Sequence, residues 1–204
     1  MAKRAVGNPL ALAVLALLTE RPTHPYDIAR TLRQRRKEQS IKLNYGSLYT
    51  VIEQLVRVGF LTPDHTARDT ARPERTVYAI TDAGRFELFD WMSELVSTPH
   101  KEYRTFEAAL ALLAVLPPDE AERLLVIRLE RLSAQVRALR IECEDAVANG
   151  LHPIHLVETE YRIALDAAEL AFVQRFVDQL RTDPSFAAPW WAFHRGPEED
   201  RDGR

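Results

Sequence analysis

Lys42, Asn44, Tyr45, Gly46, Ser47 and Tyr49 place an ammonium, an amide, a hydroxyl, two phenols and a bare stretch of backbone within eight residues. Their shared capacity is donation of hydrogen bonds to an anionic, oxygen-rich surface. Arg68, Arg72 and Arg75 follow in a stretch rich in Arg and Asp. Guanidinium groups bind phosphate oxygens through paired N–H donors. Donors at one helix end, with arginines in a nearby turn, point to the phosphate backbone and base edges of duplex DNA. Tyr45, Ser47 and Tyr49 are the candidates for phosphate and base contacts, and Lys42 for a phosphate. Asn44 serves either as a helix cap or as a further contact. Gly46 either admits a close phosphate or is merely tolerated. The three arginines reach the backbone or the minor groove, or else form a solvated turn.

These residues need a scaffold, and the flanking sequence supplies one. Leu48, Val51, Ile52, Leu55 and Val56 lie at i, i+3, i+4, i+7 and i+8, a core-facing stripe behind the donors. Asn44 fits the N-cap of this helix, and Gly59 fits the residue just past its end. A strand begins at Phe60, and Thr76–Ile80 alternates as a returning strand. Tyr78 on it points inward or outward according to register. Thr81 then caps a fourth helix, whose apolar face carries Phe86, Leu88, Phe89, Met92 and Leu95, with Trp91 beside it. Upstream, Asn8-Pro9 opens a first helix with Leu10, Val14, Leu17 and Leu18 on one face. His24-Pro25 opens a second, whose far end carries Arg30, Arg33, Arg35, Arg36 and Lys37. Cations near a helix C-terminus are favoured by its dipole, so part of that run is structural.

Charge divides along the chain. Residues 1–85 hold 14 Lys/Arg against 8 Asp/Glu, and the remainder holds 13 against 22, so +6 and -9 give the net -3. A basic N-terminal half on an acidic remainder places the anionic partner at the N-terminal half. Apolar content of 46% suits a folded chain, and 204 residues suffice for one or two domains. Cys143 is the sole cysteine, which excludes an intramolecular disulfide and suits a reducing cytoplasm. The apolar run Leu10–Leu18 is too short to span a bilayer and lacks a small-residue cleavage site after it, so it reads as a buried helix and no membrane partner is expected.

From Lys101 the chain changes character. Phe106 to Leu116 reads as a compact apolar helix ended by Pro117-Pro118, and Asp119 as the cap of a long one. In that long helix Leu125, Leu129, Leu132, Val136, Leu139 and Cys143 are spaced 4, 3, 4, 3, 4, a coiled-coil seam. Asn149-Gly150 turns the chain, and Pro153 opens a last long helix. There Val157, Tyr161, Ala164, Ala168 and Ala171 repeat the spacing, with Phe172, Phe176 and Leu180 widening the face. Two such helices expose more apolar surface than one pair buries, so a second copy of the chain is the expected partner. Residues from Asp183 on, including Trp190 and Trp191, read as a flexible tail. The expected organisation is mainly α with a small β-wing. A winged helix-turn-helix occupies residues 1–98, an antiparallel helical dimerisation domain 99–182, and the tail 183–204.

Four segments resemble the PadR family of transcriptional regulators: His24-Pro-Tyr-Asp-Ile, Gly46-Ser-Leu-Tyr49, Val58-Gly-Phe-Leu61, and Arg72 through Gly84. The resemblance covers residues 8–97 closely and the helical remainder in kind. Pro25 stands where the family usually has glycine, at a helix start where proline is comfortable. The resemblance implies a winged-helix homodimer that represses promoters and is released by a small effector. It also suggests Trp91 as a contact for an aromatic effector, against the alternative of core packing.

Other readings are weaker. His152, His155 and Glu158 could share one face toward a metal, but a histidine beside proline at a helix entry commonly caps or stays exposed, and no metal cofactor is expected. Cys143 on a seam acts most simply as a small apolar residue. No triad order, phosphate loop or HExxH motif is present, so no enzyme is expected. A helical adaptor without DNA binding and an activator of the same fold are the competing functions.

Overall fold

Proline and a side-chain acceptor start each of the first two helices. Asn8 Oδ1 accepts from the Leu10 N–H at 2.9 Å and Pro9 begins α1, Pro9–Glu20. His24 Nδ1 accepts from the Tyr26 N–H at 3.1 Å and Pro25 begins α2, Pro25–Gln34. These belong to a computed structural model that describes residues 4–64 and 76–195. The chain divides into two units, Met1–Lys101 and Glu102–Arg204.

In the first unit, α3 (Tyr45–Arg57) follows a 3-10 turn, then strands β1 (Leu61–Asp64) and β2 (Val77–Ile80), then α4 (Asp82–Ser97). The strands pair antiparallel with Leu61 opposite Ile80 and Asp64 opposite Val77. Thr23 exchanges two backbone hydrogen bonds with Tyr78 (3.1 and 3.0 Å), so β2 is bridged on its other edge as well. Helix α1 is the axis of the unit: Leu10, Ala11, Ala13, Val14, Leu15, Leu17 and Leu18 are all buried. Against it pack Ile28 and Leu32 of α2, Leu48, Val51, Ile52 and Leu55 of α3, Leu61 and Ile80 of the strands, and Trp91 of α4. The stretch expected to join the strands, with Arg68, Arg72 and Arg75, lies outside the described residues.

One junction fastens α3, the strands and α4 together. Helix α3 ends at Gly59, which has φ +78°. The Phe60 N–H reaches back to Leu55 O (2.9 Å) and the Gly59 N–H to Val56 O (3.0 Å), the paired bonds of a Schellman end. Thr81 then starts α4 by accepting from the Gly84 N–H at 3.1 Å, while its hydroxyl donates to Gly59 O at 2.7 Å. Gly84 sits hard against the same turn, where an added Cβ would lie 2.3 Å from Phe60 O.

Arg4 holds the start of the chain to α4. Its guanidinium donates to Glu87 (2.8 Å), Asp90 (3.0 Å) and Glu94 (2.5 Å), and lies 5.5 Å from the centre of the Trp91 ring. Three carboxylates hold this guanidinium protonated more firmly than an ordinary arginine, although its burial opposes them. Trp91 is only 5% exposed.

The second unit contains α5 (Thr105–Ala111), a 3-10 turn (Leu113–Val115), α6 (Pro118–Ala148), a 3-10 turn (Pro153–Leu156), α7 (Val157–Thr182) and α8 (Pro184–Arg195). Pro118 rather than Asp119 sets the start of α6: its missing N–H costs nothing at the first helical position, and Asp119 falls in the first turn without a capping bond. Gly150, at φ +86°, turns the chain. Helices α6 and α7 pack as an antiparallel pair around Leu125, Val173 and Val177, with Phe106, Leu129, Phe176 and Leu180 at the margin. Arg128 to Glu169, Gln135 to Asp166 and Arg181 to Glu122, each 2.7 Å, tie the pair across its edges.

The residues read as a flexible tail form α8 as far as Arg195. The Asp183 carboxylate accepts from the Ser185 and Phe186 N–H groups (3.0 and 3.2 Å), which with the Ser185 hydroxyl holds it below the usual carboxylate range. Phe186 meets Phe176 edge-on at 6.1 Å, Ala187 is buried, and the Trp190 indole N–H donates to Leu116 O at 2.9 Å. Trp190 is therefore an anchor of α8, and its neighbour Trp191 is exposed.

Gly84→Ala is expected to lower the thermal stability of the protein by about 1–3 kcal/mol, because the methyl must displace backbone rather than a flexible side chain. Gly46→Ala, where a Cβ would meet only Asn44 Oδ1 at 3.8 Å, should leave the melting temperature unchanged or raise it.

Candidate nucleic-acid interface

The sequence-predicted donors come together at the N-terminal end of α3. The apolar stripe of this helix faces the core: Leu48 and Leu55 are completely buried, with Val51 and Ile52 beside them. Burial of that stripe fixes the rotation of the helix and leaves Tyr45 (41% exposed) and Tyr49 (46% exposed) on the open side. Gly46 and Lys42 are exposed near them, and Ser47 is half-buried. Asn44 is the N-cap, its Oδ1 accepting from the Ser47 N–H at 2.7 Å. That leaves its Nδ2 group without a partner among the described residues, so capping and an outward contact are compatible.

The basic end of α2 lies beside this surface and sorts into two kinds of cation. Arg30 pairs with Asp27 (2.8 Å), and Arg35 grips both oxygens of Glu20 (2.5 and 2.8 Å). These two are neutralised within the protein. Arg33 pairs with no carboxylate among the described residues. It donates to the Tyr45 hydroxyl at 2.6 Å, with its guanidinium carbon 4.6 Å from the centre of the Tyr45 ring. The sequence alone offered Arg33 only as one member of a basic run. Its pairing with Tyr45 depends on how α2 crosses α3.

Tyr78 packs on the core from β2. Burial pushes its phenol pKa up, and Glu53 and Tyr49 nearby push it further, so it stays protonated. Trp91 lies in the core of the first unit beneath Arg4, so its side chain is committed to packing rather than to an effector cavity. His152 caps the turn before α7, its Nδ1 accepting from the Ile154 N–H at 3.3 Å. Cys143 is half-buried, and burial together with Glu160 and Glu144 pushes its thiol pKa up, which keeps it poorly nucleophilic.

The two predicted seams of the second unit have different fates. Leu125, Leu132, Val136 and Leu139 of α6 are buried within the chain, and Leu129 packs at the edge of that core. Their side chains are occupied within the unit. The intramolecular face of α7 is instead built on Val173 and Val177. Consequently Val157 (52% exposed), Tyr161 (62%), Ala164, Ala168 and Phe172 (42%) face outward. An open groove of about 500 Å³ runs between α6 and α7, lined by Leu129, Glu130, Ser133, Ala167, Leu170, Ala171 and Gln174.

A helical core with a two-stranded hairpin, its third helix anchored behind and donor-rich in front, is a winged helix-turn-helix DNA-reading head. Comparison with known proteins finds the following similarities. Residues 14–90 match the Transcriptional regulator PadR-like family. The negative transcriptional regulator PadR of Bacillus subtilis is 26% identical over 141 residues, 69% of this chain and 76% of that protein. The crystal structure of Bacillus subtilis PadR in complex with operator DNA superposes with a TM-score of 0.67 at 20% identity, covering 85% of this chain and 99% of that one. The same protein in complex with p-coumaric acid gives 0.64 at 18% identity, covering 84% and 98%. The fold is shared along most of the chain, beyond the family match.

Asn44→Ala is expected to cost about 1 kcal/mol of stability, and Asn44→Asp to restore the parent melting temperature, since Asp caps as well as Asn. Thermal denaturation of the two variants checks this.

Proposed function

We propose that this protein is a sequence-specific, homodimeric DNA-binding repressor. It acts in the cytoplasm on a near-palindromic promoter site and is released by a small aromatic effector. The observation that carries the reading is the surface at the start of α3. Tyr45, Gly46 and Tyr49 stand exposed there, with Lys42 just before them, on a helix whose opposite side is locked into the core. A recognition helix held this way enters a major groove with its first turns. The repressor sense is supported by the Bacillus subtilis relative, described as a negative regulator. DNA and an aromatic acid as ligands are supported by the complexes in which the similar structures were solved.

The dimer reading rests on α7. Its outward residues Val157, Tyr161 and Phe172 form an apolar stripe left exposed by the described residues of the unit, whereas Leu125, Leu132, Val136 and Leu139 of α6 are already buried. A two-fold dimer presents two recognition helices and so selects an operator with approximate two-fold symmetry. Effector release follows if the ligand prefers a dimer geometry in which the two helices no longer match successive grooves. A ligand indifferent to the two geometries shifts nothing. No helix among the described residues is long and apolar enough to cross a membrane.

The test is binding to a labelled fragment of the gene's own upstream region across a salt series, with excess nonspecific competitor. Lys42→Ala should weaken binding to all sequences alike and reduce the slope of log K against log salt by about 1. Tyr49→Ala should weaken specific binding by about tenfold without changing the oligomeric state. Tyr161→Arg combined with Phe172→Asp should yield monomers in light scattering and lose tight operator binding while keeping the helical content. Equal binding by Lys42→Ala, Tyr49→Ala and the parent would remove α3 from the reading surface.

A further inference from the structure

We propose that Arg33 is a positioning residue for DNA recognition: it clamps Tyr45, and the pair grips a single backbone phosphate as one unit. The inference rests on the DNA-binding function proposed above and deepens it. Three observations carry it. Arg33 reaches from α2 to the first residue of α3, donating to the Tyr45 hydroxyl at 2.6 Å while lying over its ring at 4.6 Å. Among the described residues it has no carboxylate partner, whereas Arg30 and Arg35 on the same helix are paired with Asp27 and Glu20. Tyr45 is exposed on the open side of α3, so its ring is held by the guanidinium rather than by core packing.

The chemistry of the pair follows from these positions. A phenol oxygen that accepts from a guanidinium still carries its own proton, and the bond it accepts polarises that O–H toward a further acceptor. The guanidinium keeps other N–H groups for an anion, and its charge remains unneutralised by the protein. One phosphate oxygen can take the phenol proton and another the guanidinium. Holding Tyr45 in place before DNA arrives removes rotamer freedom that binding would otherwise have to freeze. Lysine would keep the charge but lose both the planar stacking and the forked donors.

The experiment uses the full chain and a duplex selected by the parent protein from random-sequence DNA. Affinities are measured for Arg33→Ala, Arg33→Lys, Tyr45→Phe and the double variant Arg33→Ala/Tyr45→Phe across a salt series. Both side chains are exposed, so folding should be unaffected, and melting temperatures are compared to establish this. We expect each single variant to lose affinity, and the double variant to lose less than the product of the two losses by at least about threefold. Arg33→Lys should keep most of the salt dependence yet recover less than half of the affinity lost in Arg33→Ala. If the losses multiply independently, or if Arg33→Lys binds like the parent, Arg33 is a separate phosphate contact and the clamp is refuted. If the parent selects DNA and every Arg33 and Tyr45 variant binds equally well, the pair lies off the interface and the DNA-binding function stands. If the parent selects no DNA, both readings fall together.

Discussion

The approach of Gly84 to the carbonyl of Phe60 is the constraint on which the first unit depends. An added Cβ would stand 2.3 Å from that oxygen, and the same oxygen accepts from the Thr81 N–H at 3.0 Å. Phe60 at the exit from α3, Ile80 at the end of β2 and the first turn of α4 therefore meet at one point. A shift of α4 would move the strand register, and a shift of the strands would rotate α3. Because the core stripe Leu48, Val51, Ile52 and Leu55 fixes α3 from the other side, the helix is held at both its flank and its end. That is the rigidity a reading head requires: base edges are distinguished only if the donors arrive at fixed positions.

On this frame, the arginines of the first unit separate by partner. Cations with carboxylates beside them (Arg4, Arg30, Arg35) secure the fold, and their charge is largely answered inside the protein. Arg33, by contrast, is spent on a neutral phenol and keeps its charge. A phosphate backbone rewards charge that is both unneutralised and held in place, since release of counterions supplies much of the affinity. The sequence asymmetry of +6 in residues 1–85 thus understates the local contrast, because several of those cations are already paired.

Much of this was legible in the sequence, for reasons that are local. Asn8, Asn44 and Thr81 cap the helices they were expected to cap, because a cap bond spans only two or three residues. The stripe from Leu48 to Leu55 named the buried side of α3, because helical spacing alone fixes a face. What spacing does not fix is the identity of the partner across that face. The seam of α6 has coiled-coil spacing, and its Leu125, Leu132, Val136 and Leu139 are buried already within one chain. Trp91 was weighed as a ligand contact, and its burial under Arg4 depends on a residue 87 positions away in sequence. The pairing of Arg33 with Tyr45 is likewise set by a helix crossing. Helix α8 stands where the sequence reads as a tail, and it carries Pro189 inside it. Its order comes from Phe176 and the Leu116 carbonyl, contacts remote in sequence.

The start of α3 is the surface proposed to meet DNA. The backbone N–H groups of Tyr45 and Gly46 belong to the first turn of that helix and take no partner among the described residues, whereas Ser47 and Leu48 are capped by Asn44. Hydrogen–deuterium exchange of the backbone amides, with and without a duplex selected by the protein, tests the claim most directly. Slowed exchange is expected to concentrate in residues 42–49 and at the end of α2, with the amides of α7 unchanged. Protection confined to other elements, with the amides of Tyr45 and Gly46 exchanging as fast as in the free protein, would contradict it.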